Sequence, residues 1–219
     1  MRARYLKQLQ LIHDDLLQMG NRVEYALAAA MDALTNWDIS RAQHVIAADL
    51  EIDAARAMIE EAVLEVLAIQ QPVLATDLRT LTATIAIAGE LERAGDYAKG
   101  IAKRVGRCLE TPSIVDPPTK LQQMSLLAQA MLQAGLDAFV RRDVDLARSL
   151  AGEDERVDAL EDQVIDELMN IVRQDSSRLD CAIQLLDITH TLERVADRTT
   201  NIAERVIFIA TGLTEQLNT

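Results

Sequence analysis

Four pairs of carboxylates, each pair spaced four residues apart, could do chemistry: Asp49/Asp53, Glu92/Asp96, Asp154/Asp158 and Glu193/Asp197. On a helix, positions i and i+4 project from one face with Cβ atoms about 6 Å apart. Like charges held that close destabilise the helix by roughly 0.2–0.5 kcal/mol per pair, so something should compensate them. One candidate is a cation that accepts oxygen ligands, such as Mg, Mn, Fe or Zn. The other is a salt-bridge partner, and Arg93 and Arg194 sit between the two acids of their pairs. Spacing alone does not choose between them. The chain holds seven i,i+4 acidic pairs, against about five or six expected by chance from its acid content.

Position distinguishes these four pairs, because they recur in an internal duplication. A shift of 101 residues lays Leu91-Glu-Arg-Ala-Gly-Asp96 on Leu192-Glu-Arg-Val-Ala-Asp197, with eight identities in the 15 positions from 91 to 105. A shift of 105 lays Asp32, Asp38, Asp49 and Asp53 on Asp137, Asp143, Asp154 and Asp158. The difference of four falls in a turn, where length changes cost little. A repeat of this length is a structural unit copied in tandem. Each copy presents one acidic pair on each of two helices, which could face one another across a groove.

The elements that must carry these pairs are helices. Aromatics are 3% of the chain against 49% hydrophobic residues overall, with only 8 Gly and 4 Pro. That composition suits close-packed helices and argues against a β-sandwich. Ile52, Ile59, Val63, Val66 and Leu67 recur at helical steps, with Glu60, Glu61 and Glu65 off that face. Breaks are expected at Thr35–Asp38, Gln70-Gln71-Pro72, Glu110–Thr119, Val140–Asp143 and Gln174–Arg178. In the first and fourth, Asp38 and Asp143 are placed to cap the following helix. Three prolines, Pro112, Pro117 and Pro118, mark a linker over 111–118. The expectation is an all-α chain of six long helices in two tandem three-helix bundles, over 1–110 and 119–219. Trp37 is expected to cap a core at a helix turn. Gly89, Gly95, Gly100 and Gly106 crowd one helix, which fits close helix approach or simple tolerance in a packed bundle.

A formal net charge of −13 opposes binding to nucleic acid or to anionic lipid, so contact with a membrane is expected only through partners. No apolar run approaches the roughly 20 residues that span a bilayer, and the N-terminus lacks a signal-peptide core. Cys108 and Cys181 stand far apart, as free thiols packed in or near the core of a cytoplasmic protein would. Catalysis is not expected. There is no Gly-x-x-x-x-Gly-Lys-Ser/Thr loop, and no local signature of a nucleophile with its base. His13, His44 and His190 follow Gln10, Arg41 and Asp187 by three residues, so none belongs to a Glu-x-x-His di-iron motif. His190, one turn before Glu193, could add a nitrogen ligand to a cation. The acidity and the lack of an anion nest predict weak or absent direct phosphate binding.

The stretch Gln70-Gln-Pro-Val-Leu-Ala-Thr-Asp-Leu-Arg79, with Leu91-Glu-Arg-Ala-Gly-Asp96 and Ile101-Ala102, resembles the PhoU family of bacterial phosphate-uptake regulators. Leu192-Glu-Arg-Val-Ala-Asp197 with Asn201-Ile-Ala-Glu204 resembles the second repeat of that family, and Gln18-Met19-Gly20 and Asp49/Asp53 also fit. The resemblance implies a cytoplasmic negative regulator of the phosphate regulon, commonly a homodimer. Its implied partners are the ATPase of the phosphate ABC transporter and a membrane sensor histidine kinase. It also implies metal binding, in some members, at the positions of Asp49, Asp53, Glu92, Asp96, Asp154, Asp158, Glu193 and Asp197. The second repeat departs from the pattern, with Ser176-Ser-Arg-Leu-Asp180 in place of the Gln-Gln-Pro element. The same carboxylates leave open a metal-storage protein or metal-dependent enzyme, or a metal-free helical adaptor.

Overall fold

A computed structural model describes residues 2–69 and 73–217. The regular structure of the described residues is all helical: α1 (Arg2–Asn36), α2 (Ile39–Ile69), α3 (Ala75–Leu109), α4 (Thr119–Arg141), α5 (Val144–Gln174) and α6 (Leu179–Thr211), with a 3-10 turn at Ser176–Arg178. The break expected at Gln70-Gln71-Pro72 lies outside the described residues. The other four expected breaks separate helices.

Each helix forms because its apolar residues make one stripe. In α1, Leu16, Met19, Val23, Leu27, Ala30 and Leu34 step by three or four and are fully buried. On α2, Ile52, Ile59, Val63 and Val66 are buried and Leu67 packs against the core from its edge. The α3 stripe runs through Leu91, Ala94, Ala98, Ile101 and Val105 to Cys108. In α6, buried Thr189, Thr191 and Thr199 bond their hydroxyls back to the carbonyls of Leu185, Asp187 and Val195, so their burial leaves no orphan donor.

Helices α1, α2 and α3 pack on one another, as do α4, α5 and α6. Equivalent helices α3 and α6 then lie against each other, in the most extensive helix–helix contact among the described residues. One continuous hydrophobic core therefore runs through both repeats. Helices α2 and α5 pack only on helices of their own repeat.

The two helix turns that begin α2 and α5 are copies of each other. Trp37 and Arg142 both take the left-handed conformation at φ 53°. The next N–H reaches back five residues in each case, Asp38 to the Ala33 carbonyl at 2.9 Å and Asp143 to the Ala138 carbonyl at 3.0 Å. Asp38 and Asp143 then cap the following helix, accepting from the N–H of Arg41 and of Leu146 at 3.0 Å. Half-buried Trp37 packs on the core, as expected of a cap. Asp143→Ala removes one such cap and is expected to cost about 1 kcal/mol, read as a lower urea midpoint with an unchanged m-value.

Gly95 shows why α2 approaches α3 so closely. A Cβ there would meet Ile52 at 3.0 and 3.1 Å. Gly89 has open space around it, so close approach does not account for every glycine of α3.

Candidate functional site

The α2/α3 pairing brings Asp49/Asp53 opposite Glu92/Asp96, and the α5/α6 pairing brings Asp154/Asp158 opposite Glu193/Asp197. The acidic pairs on adjacent helices thus converge in each repeat, because α2 with α3, and α5 with α6, run side by side. The two convergences differ in what surrounds them.

In the first repeat three of the four carboxylates are ion-paired. Asp49 is 3% exposed, and its carboxylate accepts from the Lys99 ammonium of α3. Lys99 also reaches Asp96 at 3.3 Å. The hydrogen bond to Asp49 is the main cause holding the Lys99 pKa above its usual value. Arg56 of α2 spans from Glu60 at 2.9 Å to Glu92 at 3.2 Å. Burial raises the Glu92 pKa, with Arg56 opposing it and Asp96 and Asp53 adding to it. The compensating cations are thus Lys99 and Arg56. The arginines that lie between the paired acids in sequence, Arg93 and Arg194, are exposed. Residue i+1 of an acidic pair points roughly 100° around the helix from it, which is why sequence proximity misdirects here.

In the second repeat those cations have no equivalents. The position matching Lys99 is Thr200, fully buried, and the position matching Arg56 is Glu161. Burial, then the charges of Asp158, Asp197 and Glu155, push the Asp154 carboxyl up to about 6. Burial, then Asp197, Glu161, Asp158 and Asp154, push Glu193 up to about 7. Asp158 is raised as well, by burial and by Asp197, Asp162 and Glu155. Arg198 approaches Asp197 at 3.9 Å but also pairs with Glu90 of α3 at 3.3 Å. The ring of His190 hydrogen-bonds Glu161, so it stands at the edge of this cluster and touches it through that carboxylate.

Among the described residues, no three His, Cys, Asp or Glu side chains stand close enough together to form a ready metal site. In repeat one Lys99 and Arg56 hold three of the four carboxylates, Asp49, Asp96 and Glu92. Repeat two offers surplus negative charge on oxygen donors, without a closed set of ligands.

Comparison with known proteins settles the family. The PhoU domain model matches twice, over residues 16–105 and 121–206. The chain belongs to the PhoU family. A PhoU homolog from Clostridium acetobutylicum, named as a phosphate-specific transport system accessory protein, is 36% identical over 210 residues, spanning 96% of this chain and 95% of that protein. The equivalent protein of Zymomonas mobilis is 36% identical over 197 residues, spanning 90% and 82%. The crystal structure of PhoU from Pseudomonas aeruginosa matches with a TM-score of 0.88 at 32% identity, covering 95% of this chain and 100% of that one. That of the phosphate transport system regulatory protein PhoU from Streptococcus pneumoniae gives 0.88 at 29%, covering 97% and 99%.

The two PhoU domains take in all eight carboxylates, four in each. Two side chains from the Gln-Gln-Pro element reach other helices of the fold. Asp77, in the first turn of α3, accepts a 2.8 Å hydrogen bond from the Tyr5 hydroxyl of α1. Arg79 packs over Gly212, the left-handed residue that ends α6. In the described chain, no helix is long and apolar enough to cross a membrane.

Proposed function

We propose that this chain is an accessory regulator of a phosphate-specific transport system, acting by docking rather than by catalysis. The observation that carries the reading is the pair of PhoU domains covering both halves of the chain, in a protein similar over nearly its whole length to relatives named as accessory proteins of that system. The proposed partners are the transporter's ATPase subunit and a membrane sensor histidine kinase, met in the cytoplasm by a negative regulator that is itself a homodimer. A surface with net charge −13 is suited to basic patches on such partners and repels bare anionic lipid.

A hard divalent cation, Mg, Mn or Fe(II), is proposed to associate with Asp154, Asp158, Glu193 and Asp197 in preference to the set of repeat one, three of whose four carboxylates are ion-paired. An oxygen-only donor set suits these ions better than Zn. Mg keeps several waters and needs only one or two carboxylates, so it does not demand a closed protein cage. Bound there, a cation would supply the positive charge that Lys99 and Arg56 supply in repeat one.

The test of the docking role is co-purification. Tagged protein is recovered from cells grown in high and in low phosphate, and the ATPase and kinase are measured in the eluate. Capture of either, in an amount that changes with phosphate, is the expected result. Absence of both under both conditions would overturn the docking role while leaving the fold untouched.

A further inference from the structure

We propose that Cys108 and Cys181 are a modification site, closing to an intramolecular disulfide when the protein meets hydrogen peroxide and thereby locking the junction between the two repeats. The two thiols are 73 residues apart in sequence, yet their sulfurs lie 2.7 Å from each other with both side chains fully buried. Cys108 ends α3, and Cys181 sits in the first turn of α6. Closing to the ~2.05 Å of a disulfide requires a shift of less than about 1 Å.

The pair is also differentiated. The N–H of Val115 in the linker donates to the Cys181 sulfur at 3.4 Å. The hydrogen bond with Cys108 is the largest cause drawing Cys181 down to about 7, helped by Val115 and Thr111 and opposed by burial. The same contact, with burial, drives Cys108 well above the ordinary thiol range. With the Val115 N–H on its sulfur and its place in the first turn of α6, Cys181 is the nucleophile and Cys108 the resolving thiol.

Access runs through the linker. Pro112, Pro117 and Pro118 have no N–H to give, so this roof is held largely by the buried Val115 side chain, its N–H bond to sulfur, the 2.7 Å bond from the Thr111 hydroxyl to the Cys108 carbonyl at its start, and a 3.3 Å contact between the Ser177 and Ser113 hydroxyls. Such a segment lifts at far lower cost than the helices beneath it. When it lifts, the Cys181 thiolate attacks one oxygen of hydrogen peroxide and the O–O bond breaks. The departing hydroxide takes up a proton and leaves as water. Cys108 then displaces the hydroxyl from the Cys181 sulfenic acid. The S–S bond forms, the S–O bond breaks, and the Cys108 proton leaves with that hydroxyl as a second water. The two thiols give up two electrons and peroxide accepts two.

The test uses the full chain, freed of reductant and treated with hydrogen peroxide. The expected monomer is lighter by two hydrogens and has no free thiol. Its tryptic peptides 108–120 and 179–194 travel as one species until dithiothreitol separates them. Its melting temperature rises by about 5–10 °C over the reduced form. Cys108→Ala abolishes the linked peptide. Two thiols that survive treatment, oxygen added to both cysteines in place of hydrogen loss, or disulfide-linked dimers in place of the internal link would each overturn the proposal, and all three are read on the wild-type chain.

Discussion

Lys99→Met lowers the melting temperature by roughly 6–12 °C, about 3 kcal/mol for a chain of this size. The Asp49 carboxylate is 3% exposed, and Lys99 is the cation that reaches it from the neighbouring helix. Removing one partner of a buried pair leaves the other charge desolvated without its counterion, which costs more than the pair itself contributes. The expectation sits at the low end of the usual range because Lys99 keeps 27% exposure and is partly screened. Asp49→Asn in the same chain restores most of the loss, since a neutral amide tolerates burial without a cation. Arg56→Met is the contrast. Its contacts with Glu60 and Glu92 involve side chains 20–39% exposed, and its loss costs about 1 kcal/mol or less. If Lys99→Met and the double variant melt at the same temperature, Asp49 is not held by Lys99 and the compensation argument for repeat one fails.

Between pH 5.5 and 8 the protein loses stability as the pH rises, and repeat two is the cause. Asp154 and Glu193 carry folded-state pKa values raised to about 6 and about 7. A carboxyl whose pKa is raised on folding binds a proton more tightly in the native state. Its contribution is fully present below the unfolded value near 4 and is lost as pH climbs through the folded value. Glu193→Gln mimics the protonated form. It is expected to raise the melting temperature at pH 8 by about 2–4 °C and leave it nearly unchanged at pH 5. Millimolar Mn or Mg at pH 8 should reproduce that gain in the wild-type protein and give little in Glu193→Gln, with no change at pH 5, where Asp154 and Glu193 are protonated. A Glu193→Gln protein that melts with the wild-type pH slope would remove repeat two as the source. A wild-type protein indifferent to both cations at pH 8 would end the cation proposal while leaving the linkage argument standing.

Much of this was legible before any coordinates. The stripe from Leu16 to Leu34, the linker prolines and the Asp38 and Asp143 caps are local patterns, dictated by residues within a turn or two of each other. The duplication was legible as well, because a repeated unit repeats its residues. From these follow six helices in two halves, and the family resemblance carried by Leu91–Asp96 and Leu192–Asp197.

Each helix, its buried face and the fourfold recurrence of carboxylate pairs follow from local residue patterns. What those carboxylates meet follows from how the helices pack. Lys99 is 50 residues from Asp49, and Cys108 is 73 from Cys181. Such contacts depend on the register of one helix against another, which no single helix encodes. The alignment of repeats does contain Thr200 at the place of Lys99 and Glu161 at the place of Arg56, but they gain meaning only once Lys99 and Arg56 are seen to be the counterions. Two halves that read as near copies therefore differ in how far their carboxylates are compensated. A helical stripe specifies burial, whereas charge compensation is specified by the partner that packing brings within about 4 Å.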